Sequence, residues 1–217
     1  MLNFGLKVPA DRPLNVLCLG CHSDDIEIGC GGTILKLVRT YPATAITWVV
    51  LSAGGEREHE ARRSATSFLT GAALTRIVTR EFRDGFLPYI GEQVKDFFEQ
   101  LKRECAPDVI FTHYRGDLHQ DHRLVCELTW NTFRNHLILE YEIFKYDGDL
   151  GAPNIFVTLD EDLCRAKIGL LMEHFATQRS KHWFTEDTFW ALLRLRGVEA
   201  ASPTRYAEAF YGRKLVF

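Results

Sequence analysis

Four short apolar runs alternate with three stretches of helical periodicity along the first half of the chain. The apolar runs predict buried strands at 15–19, 45–52, 74–79 and 109–112. The helical patterns predict helices at 31–39, 56–69 and 91–105. This alternation is typical of a parallel sheet with helices packed against it. We therefore predict an α/β fold of the Rossmann-like type, with a mostly parallel sheet, helices on both faces and one domain spanning 1–217.

The last third of the chain has a weaker pattern. Apolar runs predict strands at 141–146, 155–159 and 215–217. Helical periodicity predicts a long helix at 160–178, which starts at an aspartate, and a further helix at 185–196. No internal repeat, low-complexity tract or linker interrupts the sequence, in agreement with a single domain.

Composition narrows the class of protein. Of the 217 residues, 46% are hydrophobic and 25% charged, which excludes disorder over the whole chain. A net charge of -3 argues against a nucleic-acid partner, which usually requires a basic face, but allows a small anionic substrate. Residues 1–11 contain no long apolar run, and 46–51 is far shorter than the roughly 20 residues of a membrane helix. With six cysteines expected to be reduced, these features predict a cytoplasmic protein without a membrane partner.

Two polar clusters follow predicted strands. The first, at 21–27, reads Cys-His-Ser-Asp-Asp-Ile-Glu and comes directly after the first strand. The second, at 113–122, holds three of the eight histidines and begins at the end of the fourth strand. Because ligands of open α/β sheets gather beyond the carboxyl ends of the strands, both clusters are expected on the functional edge.

The residue types in these clusters favour a metal site. Histidine nitrogen and carboxylate oxygen suit zinc, and a catalytic zinc has three protein ligands and an open position for water. Asp24 and Asp25 are adjacent, so one can bind metal while the other takes a proton from water activated by the metal. In the second cluster, one of the histidines beside Asp121 can complete the metal site. The other can stabilise an oxyanion or protonate an amine, with Asp121 fixing its orientation.

These motifs resemble those of the LmbE-like, or PIG-L, zinc deacetylases, which act on N-acetylglucosamine-type substrates. The first family motif corresponds to 21–25 with the paired glycines 31–32, and the second, His-x-Asp-His, to 119–122. Weaker similarities at 52–60, 82–85, 174–178 and 206–210 extend over most of the chain. The sequence departs from the family at Cys21 and Ser23, where the family often has proline or alanine and then proline; this concerns the shape of the loop and not the ligands.

The resemblance implies a function for each of these residues. Zinc would be bound by His22, Asp25 and His122, with iron(II) as an alternative metal, and Asp24 would be the general base. The implied reaction is hydrolysis of the acetamide of a small N-acetylated amino sugar or sugar conjugate, at a linear amide C–N bond.

Further positions carry secondary roles under the same resemblance. His119 would be the electrophile or acid and Asp121 its orienting partner, while Arg57 and Asp84 would bind the sugar. Asp117 is interpreted from the sequence as a loop cap, with metal ligation as the alternative. Self-association into a homo-oligomer is left open.

Two other classes of protein share parts of this pattern. Two histidines and one carboxylate also describe the site of non-haem iron(II) oxygenases, which commonly have an all-β fold. A non-catalytic sugar-binding relative could retain the ligands, but it would have no need of both Asp24 and His119.

Overall fold

One seven-stranded sheet organises the molecule. The computed structural model describes residues 5–6 and 11–216, and its strand order is β3-β2-β1-β4-β5-β7-β6. The strands are β1 Leu14–His22, β2 Thr44–Ser52, β3 Leu74–Thr79, β4 Val109–His113, β5 Leu137–Tyr141, β6 Ile155–Leu159 and β7 Tyr206–Gly212. The α-helices are α1 Asp25–Thr40, α2 Glu56–Phe68, α3 Gly91–Glu104, α4 Gln120–Thr132, α5 Glu161–His174 and α6 Glu186–Glu199.

The first five strands are parallel, and β7 pairs antiparallel with both β5 and β6. The predicted α/β fold with a mostly parallel sheet is therefore confirmed. From β1 the chain proceeds outward to β2 and β3 and then returns to β4 on the other side of β1. Such a reversal opens a crevice beyond the carboxyl ends of β1 and β4, where ligands of this class of fold bind.

Alternate side chains of β1 enter two separate cores. Leu14, Val16 and Cys18 join the core formed with α1, α2, α5 and α6. Leu17 and Leu19 join the core formed with α3 and α4 on the other face. Successive side chains of a strand point to opposite faces of the sheet. Because helices cover both faces of β1, the strand is a continuous apolar run.

Helix α1 begins at Asp25, six residues before the predicted start at residue 31, so the glycines of 29–32 lie inside the helix. A Cβ at Gly29 would lie 2.1 Å from Cδ2 of Tyr141, and one at Gly32 would lie 2.5 Å from Cδ1 of Leu159. Close packing of α1 on the sheet therefore requires glycine here, despite the low helix propensity of this residue.

Other boundaries also differ from the predictions. The strand expected at 141–146 ends at Tyr141 and starts at Leu137, because Val109–His113 pairs with Leu137–Tyr141 in register. The helix expected at 160–178 ends at His174, and a 3₁₀ turn follows at Ala176–Gln178. The sequence pattern does not predict helix α4, because its first residues belong to the polar cluster at 113–122.

The final strand also lies elsewhere than predicted. It is Tyr206–Gly212 rather than 215–217; residues 215–216 are not in a strand, and residue 217 lies outside the described residues. Within 5–6 and 11–216, no helix is long and apolar enough to cross a membrane.

Candidate metal centre

The two polar clusters meet beyond the carboxyl ends of β1 and β4. His22 is the last residue of β1, Asp24 precedes α1 and Asp25 is its first residue. His119 is the N-cap of α4 and His122 its third residue. Because β1 and β4 are paired neighbours in the sheet, the loops that follow them converge.

Three of the converging atoms form a nearly equilateral triangle. Nδ1 of His22 lies 3.1 Å from Nε2 of His122 and 3.3 Å from Oδ2 of Asp25. The third side, from His122 Nε2 to Asp25 Oδ2, is 3.5 Å. Ligands about 2.0–2.1 Å from a tetrahedral zinc are roughly 3.3 Å apart, so these three atoms fit such an ion. The predicted ligand set is therefore brought together.

Each histidine of the triangle holds a carboxylate on its other nitrogen. Nε2 of His22 lies 2.9 Å from Oδ1 of Asp84, and Nδ1 of His122 lies 2.9 Å from Oδ2 of Asp117. Metal-binding histidines usually donate their second N–H to a carboxylate, which fixes the ring and makes the free nitrogen a better ligand. This arrangement is a second, independent feature that fits a metal centre.

Other nearby donors are less suited to bind the ion. Nε2 of His113 lies 3.2 Å from Oδ2 of Asp25, but it already accepts the backbone N–H of Cys21 at 3.0 Å. Burial and the neighbouring His122 lower the pKa of His113 to about 4, so it stays neutral and packs against His122 with ring centroids 3.9 Å apart. Burial raises the pKa of the Cys21 thiol to about 12, so it stays protonated.

The two adjacent aspartates have opposite electrostatic surroundings. Burial raises the pKa of Asp25, but His122, His113 and His22 outweigh it and bring the pKa well below its usual value. At Asp24, in contrast, burial prevails and raises the pKa, although Arg57 opposes the shift. Asp25 is thus suited to remain an anionic ligand, whereas Asp24 is suited to exchange a proton.

His119 lies beside the triangle. Its ring centroid is 4.5 Å from that of His122 and 4.9 Å from that of His22. Nδ1 of His119 accepts the backbone N–H of Asp121 at 3.3 Å, which places the proton of a neutral ring on Nε2. Burial, followed by the charges of His122 and His22, lowers the pKa of His119 and favours that neutral form.

The carboxylate of Asp121 is used differently from the sequence prediction. It accepts the backbone N–H of Gly85 at 2.7 Å and that of Leu87 at 3.1 Å, and among the described residues it makes no hydrogen bond to the His119 ring. Since this carboxylate is fully buried, it needs donors, and the loop after β3 supplies them. Asp121 therefore orients the His119 ring through its backbone N–H, while its carboxylate holds the loop that carries Asp84.

Arg57 and Asp84 line one open cavity of about 370 Å³, together with Ser52 and Phe82, and Asp84 connects this cavity to His22. Arg57 is engaged within the site, since its Nη2 lies 2.8 Å from Oδ1 of Asp24. Asp84 is hydrogen-bonded to His22. This hydrogen bond lowers the pKa of Asp84 to about 2, although burial opposes the shift. Both residues predicted to bind the sugar thus also contact the metal-site residues.

Asp117 does more than cap the loop. Its Oδ1 accepts the backbone N–H of His119 at 2.8 Å, as a loop cap would, but its Oδ2 also binds His122. An aspartate two residues before the His-x-Asp-His motif is the sequence signal for this contact. Lys145, 2.9 Å from the same Oδ2, belongs to a distant loop and has no such signal.

The match to a known family decides the assignment. Residues 17–133, more than half of the chain and inclusive of both motifs, match PIG-L, described as GlcNAc-PI de-N-acetylase. The chain belongs to the PIG-L family. The resemblance inferred from the two motifs is therefore confirmed.

Two curated relatives support this membership. A protein named uncharacterized deacetylase YaiS, from Escherichia coli K12, is 24% identical over 80% of this chain and 97% of its own length. Diacetylchitobiose deacetylase of Thermococcus kodakarensis is 30% identical over 56% of this PIG-L chain and 50% of its own length.

Solved structures share the fold. N,N'-diacetylchitobiose deacetylase of Pyrococcus horikoshii matches with a TM-score of 0.72 and 23% identity over 97% of this chain and 87% of that one. GalB, a 4-carboxy-2-hydroxymuconate hydratase of Pseudomonas putida, matches with a TM-score of 0.68 and 16% identity over 94% and 97%. Proteins with this fold thus carry names of different reactions, so the residues of the site and not the fold indicate the function.

Proposed function

We propose that this PIG-L protein is a metal-dependent deacetylase that hydrolyses the N-acetyl group of a small N-acetylglucosamine-type sugar or sugar conjugate. The observation that carries the proposal is the triangle of His22 Nδ1, Asp25 Oδ2 and His122 Nε2, with sides of 3.1–3.5 Å. Family membership and the deacetylases among its relatives support the acetamide substrate.

The metal would be bound by His22, Asp25 and His122, and zinc or iron(II) suits these ligands. When bound, such an ion polarises a carbonyl and lowers the pKa of a coordinated water to about 7. Asp84 and Asp117 hold the two histidine rings so that one nitrogen of each faces the triangle.

Asp24 is proposed as the general base that takes the proton from the attacking water. Its carboxylate is buried beside the proposed ligands. Burial raises its pKa toward neutral pH, and a general base is most effective when its pKa is near the working pH. The pairing with Arg57 keeps one carboxylate oxygen fixed and leaves the other for the water.

His119 is proposed as the group that donates to the developing oxyanion. Because Nδ1 accepts from the backbone, the Nε2–H is the donor, and the lowered pKa favours donation from the neutral ring rather than from the protonated form. The amine leaves with the proton that Asp24 has taken, and acetate is the second product. The sugar would occupy the cavity beside Arg57 and Asp84.

The deciding experiment incubates the zinc-loaded and the iron(II)-loaded protein, in parallel with and without oxygen, with N-acetylglucosamine, diacetylchitobiose and a glucosaminyl-inositol conjugate. New primary amine and an equal amount of acetate are expected with at least one substrate, and His122→Ala should yield neither. Oxygen-dependent turnover of the iron form without amine release would instead favour the oxygenase alternative. Binding of the sugars without hydrolysis by either metal form would favour a non-catalytic relative.

A further inference from the structure

Lys145 joins two buried carboxylates on the loops that surround the metal centre. Its Nζ lies 2.9 Å from Oδ2 of Asp117 and 2.6 Å from Oδ2 of Asp149, and it donates to the backbone oxygen of Ile143 at 3.0 Å. An ammonium has three donors, and these three acceptors use all of them. The side chains of Lys145, Asp117 and Asp149 are only 12%, 2% and 5% exposed, so solvent screens the cluster weakly.

Both carboxylates in this cluster hold the loop that carries the second motif. Oδ2 of Asp117 also binds Nδ1 of His122, while its Oδ1 accepts the N–H of His119. Oδ2 of Asp149 accepts the N–H of Leu118 at 2.7 Å. One ammonium therefore fixes the loop between β4 and α4 from two sides.

Lys145 is anchored independently of that loop. The segment follows β5, which is paired with both β4 and β7. The preceding residue, Phe144, packs against Trp183 and Phe189 with ring centroids 5.7 and 5.5 Å away. The ammonium is thus held by the scaffold and can act as a fixed support for Asp117.

We infer that Lys145 is a positioning residue of the metal centre, which holds Asp117 in the geometry that orients His122 toward the ion. This inference rests on the proposed metal-dependent function. Without the ammonium, Asp117 and Asp149 would be two buried like charges with one fewer donor, and they would move apart or toward water. The ring of His122 would then lose its fixed orientation, and the affinity for the metal would fall.

The test measures zinc affinity of the apo-protein by competition with a chromophoric chelator, so that turnover is not needed. Loss of an outer-sphere partner of a metal ligand typically weakens affinity about 10–100-fold. Lys145 lies one contact beyond Asp117, the direct partner of His122, so Lys145→Met should weaken zinc binding by a few-fold to about tenfold, at or below the low end of that range. Lys145→Arg, which retains the charge, should stay much closer to the wild type. Lys145→Gln, with an N–H donor but no charge, provides the same measurement if the Met variant does not fold.

Lys167→Met is the matched control. Lys167 is more buried, with a side chain 4% exposed, and has the same kind of contacts, with Glu208 at 2.6 Å and the backbone oxygen of Ile28 at 2.7 Å. No hydrogen bond or ion pair joins it to Asp117 or to a proposed metal ligand among the described residues. The substitution should lower thermal stability while leaving zinc affinity unchanged. Equal zinc affinity in wild type, Lys145→Met and Lys145→Gln would overturn the inference alone. A wild-type protein that binds neither zinc nor iron(II) would overturn the proposed function as well.

Discussion

The guanidinium of Arg57 and the carboxylate of Asp24 form a direct ion pair, with Nη2 2.8 Å from Oδ1. The Asp24 side chain is 7% exposed and that of Arg57 is 27% exposed, so the carboxylate is enclosed and the arginine reaches it from the cavity. The proposed base is therefore coupled to a residue that also lines the proposed sugar site.

Substitution Asp24→Asn removes the proposed base while preserving the shape of the side chain. General-base catalysis typically contributes about 10²–10⁴ in rate, so kcat should fall by that order. The metal content should stay at the wild-type level, because Asp24 is outside the triangle. Amine release and elemental analysis on the same sample check both points, and near-normal turnover would contradict the assignment.

Substitution Arg57→Gln should shift the pH dependence of the reaction. Burial raises the pKa of Asp24 and Arg57 lowers it, so loss of the arginine should raise that pKa further. Since the base acts when deprotonated, the acid limb of the kcat/KM profile should move to higher pH. A raised KM with an unmoved acid limb would show that Arg57 acts only in substrate binding.

Substitution Asp84→Asn separates two roles for this residue. If its contact to Nε2 of His22 orients the ligand, zinc affinity of the apo-protein should weaken by about tenfold, the low end of the usual range, because the Asp84 side chain is 64% exposed. If Asp84 only binds the sugar, KM should rise while zinc affinity remains at the wild-type value. Chelator competition and steady-state kinetics distinguish these outcomes.

Substitution Gly29→Ala should destabilise the fold through α1. The added methyl group would lie 2.1 Å from the ring of Tyr141, and overpacking of a core typically costs about 1–3 kcal/mol. Gly169→Ala is the control, because this glycine lies in α5 with no atom within 4 Å of the added Cβ. The control should gain about 0.5–1 kcal/mol from helix propensity. Urea unfolding of both variants tests the difference, and equal effects would argue against the close packing.

The ion pair between Arg12 and Asp108 should make part of the free energy of unfolding depend on pH. The hydrogen bond from Arg12 lowers the pKa of Asp108, and burial opposes this shift. The backbone N–H of Asn15, which donates to the same carboxylate, lowers the pKa further. A lowered folded pKa stabilises the fold above the unfolded pKa, about 3.9, and this contribution is lost as the pH falls through the folded value. Asp108→Asn should thus be less stable than wild type at pH 6, with the gap narrowing below about pH 4. Urea unfolding from pH 6 to pH 3 measures the gap, and a constant gap would contradict the coupling.

Hydrophobic patterning along the chain is enough to predict the class of sheet, and the two motifs with the family resemblance are enough to predict the proposed ligands. The apolar runs of β1, β2 and β4 are continuous because helices cover both faces of these strands, and the local composition of each run indicates that burial. The two motifs then fell at strand ends, which in a parallel sheet lie along one edge. His22, Asp25 and His122 could be chosen from this pattern together with the family resemblance, and the structure brings them together.

The groups that support these proposed ligands become visible only in the folded structure. The donors for the buried carboxylate of Asp121 are backbone N–H groups at Gly85 and Leu87, and no side-chain pattern encodes them. Lys145 reaches Asp117 from a loop 28 positions away along the chain. The glycines inside α1 face side chains from other elements, Tyr141 at Gly29 and Leu159 at Gly32. These contacts join segments distant in sequence, so packing and the need to satisfy buried charge determine them rather than local periodicity.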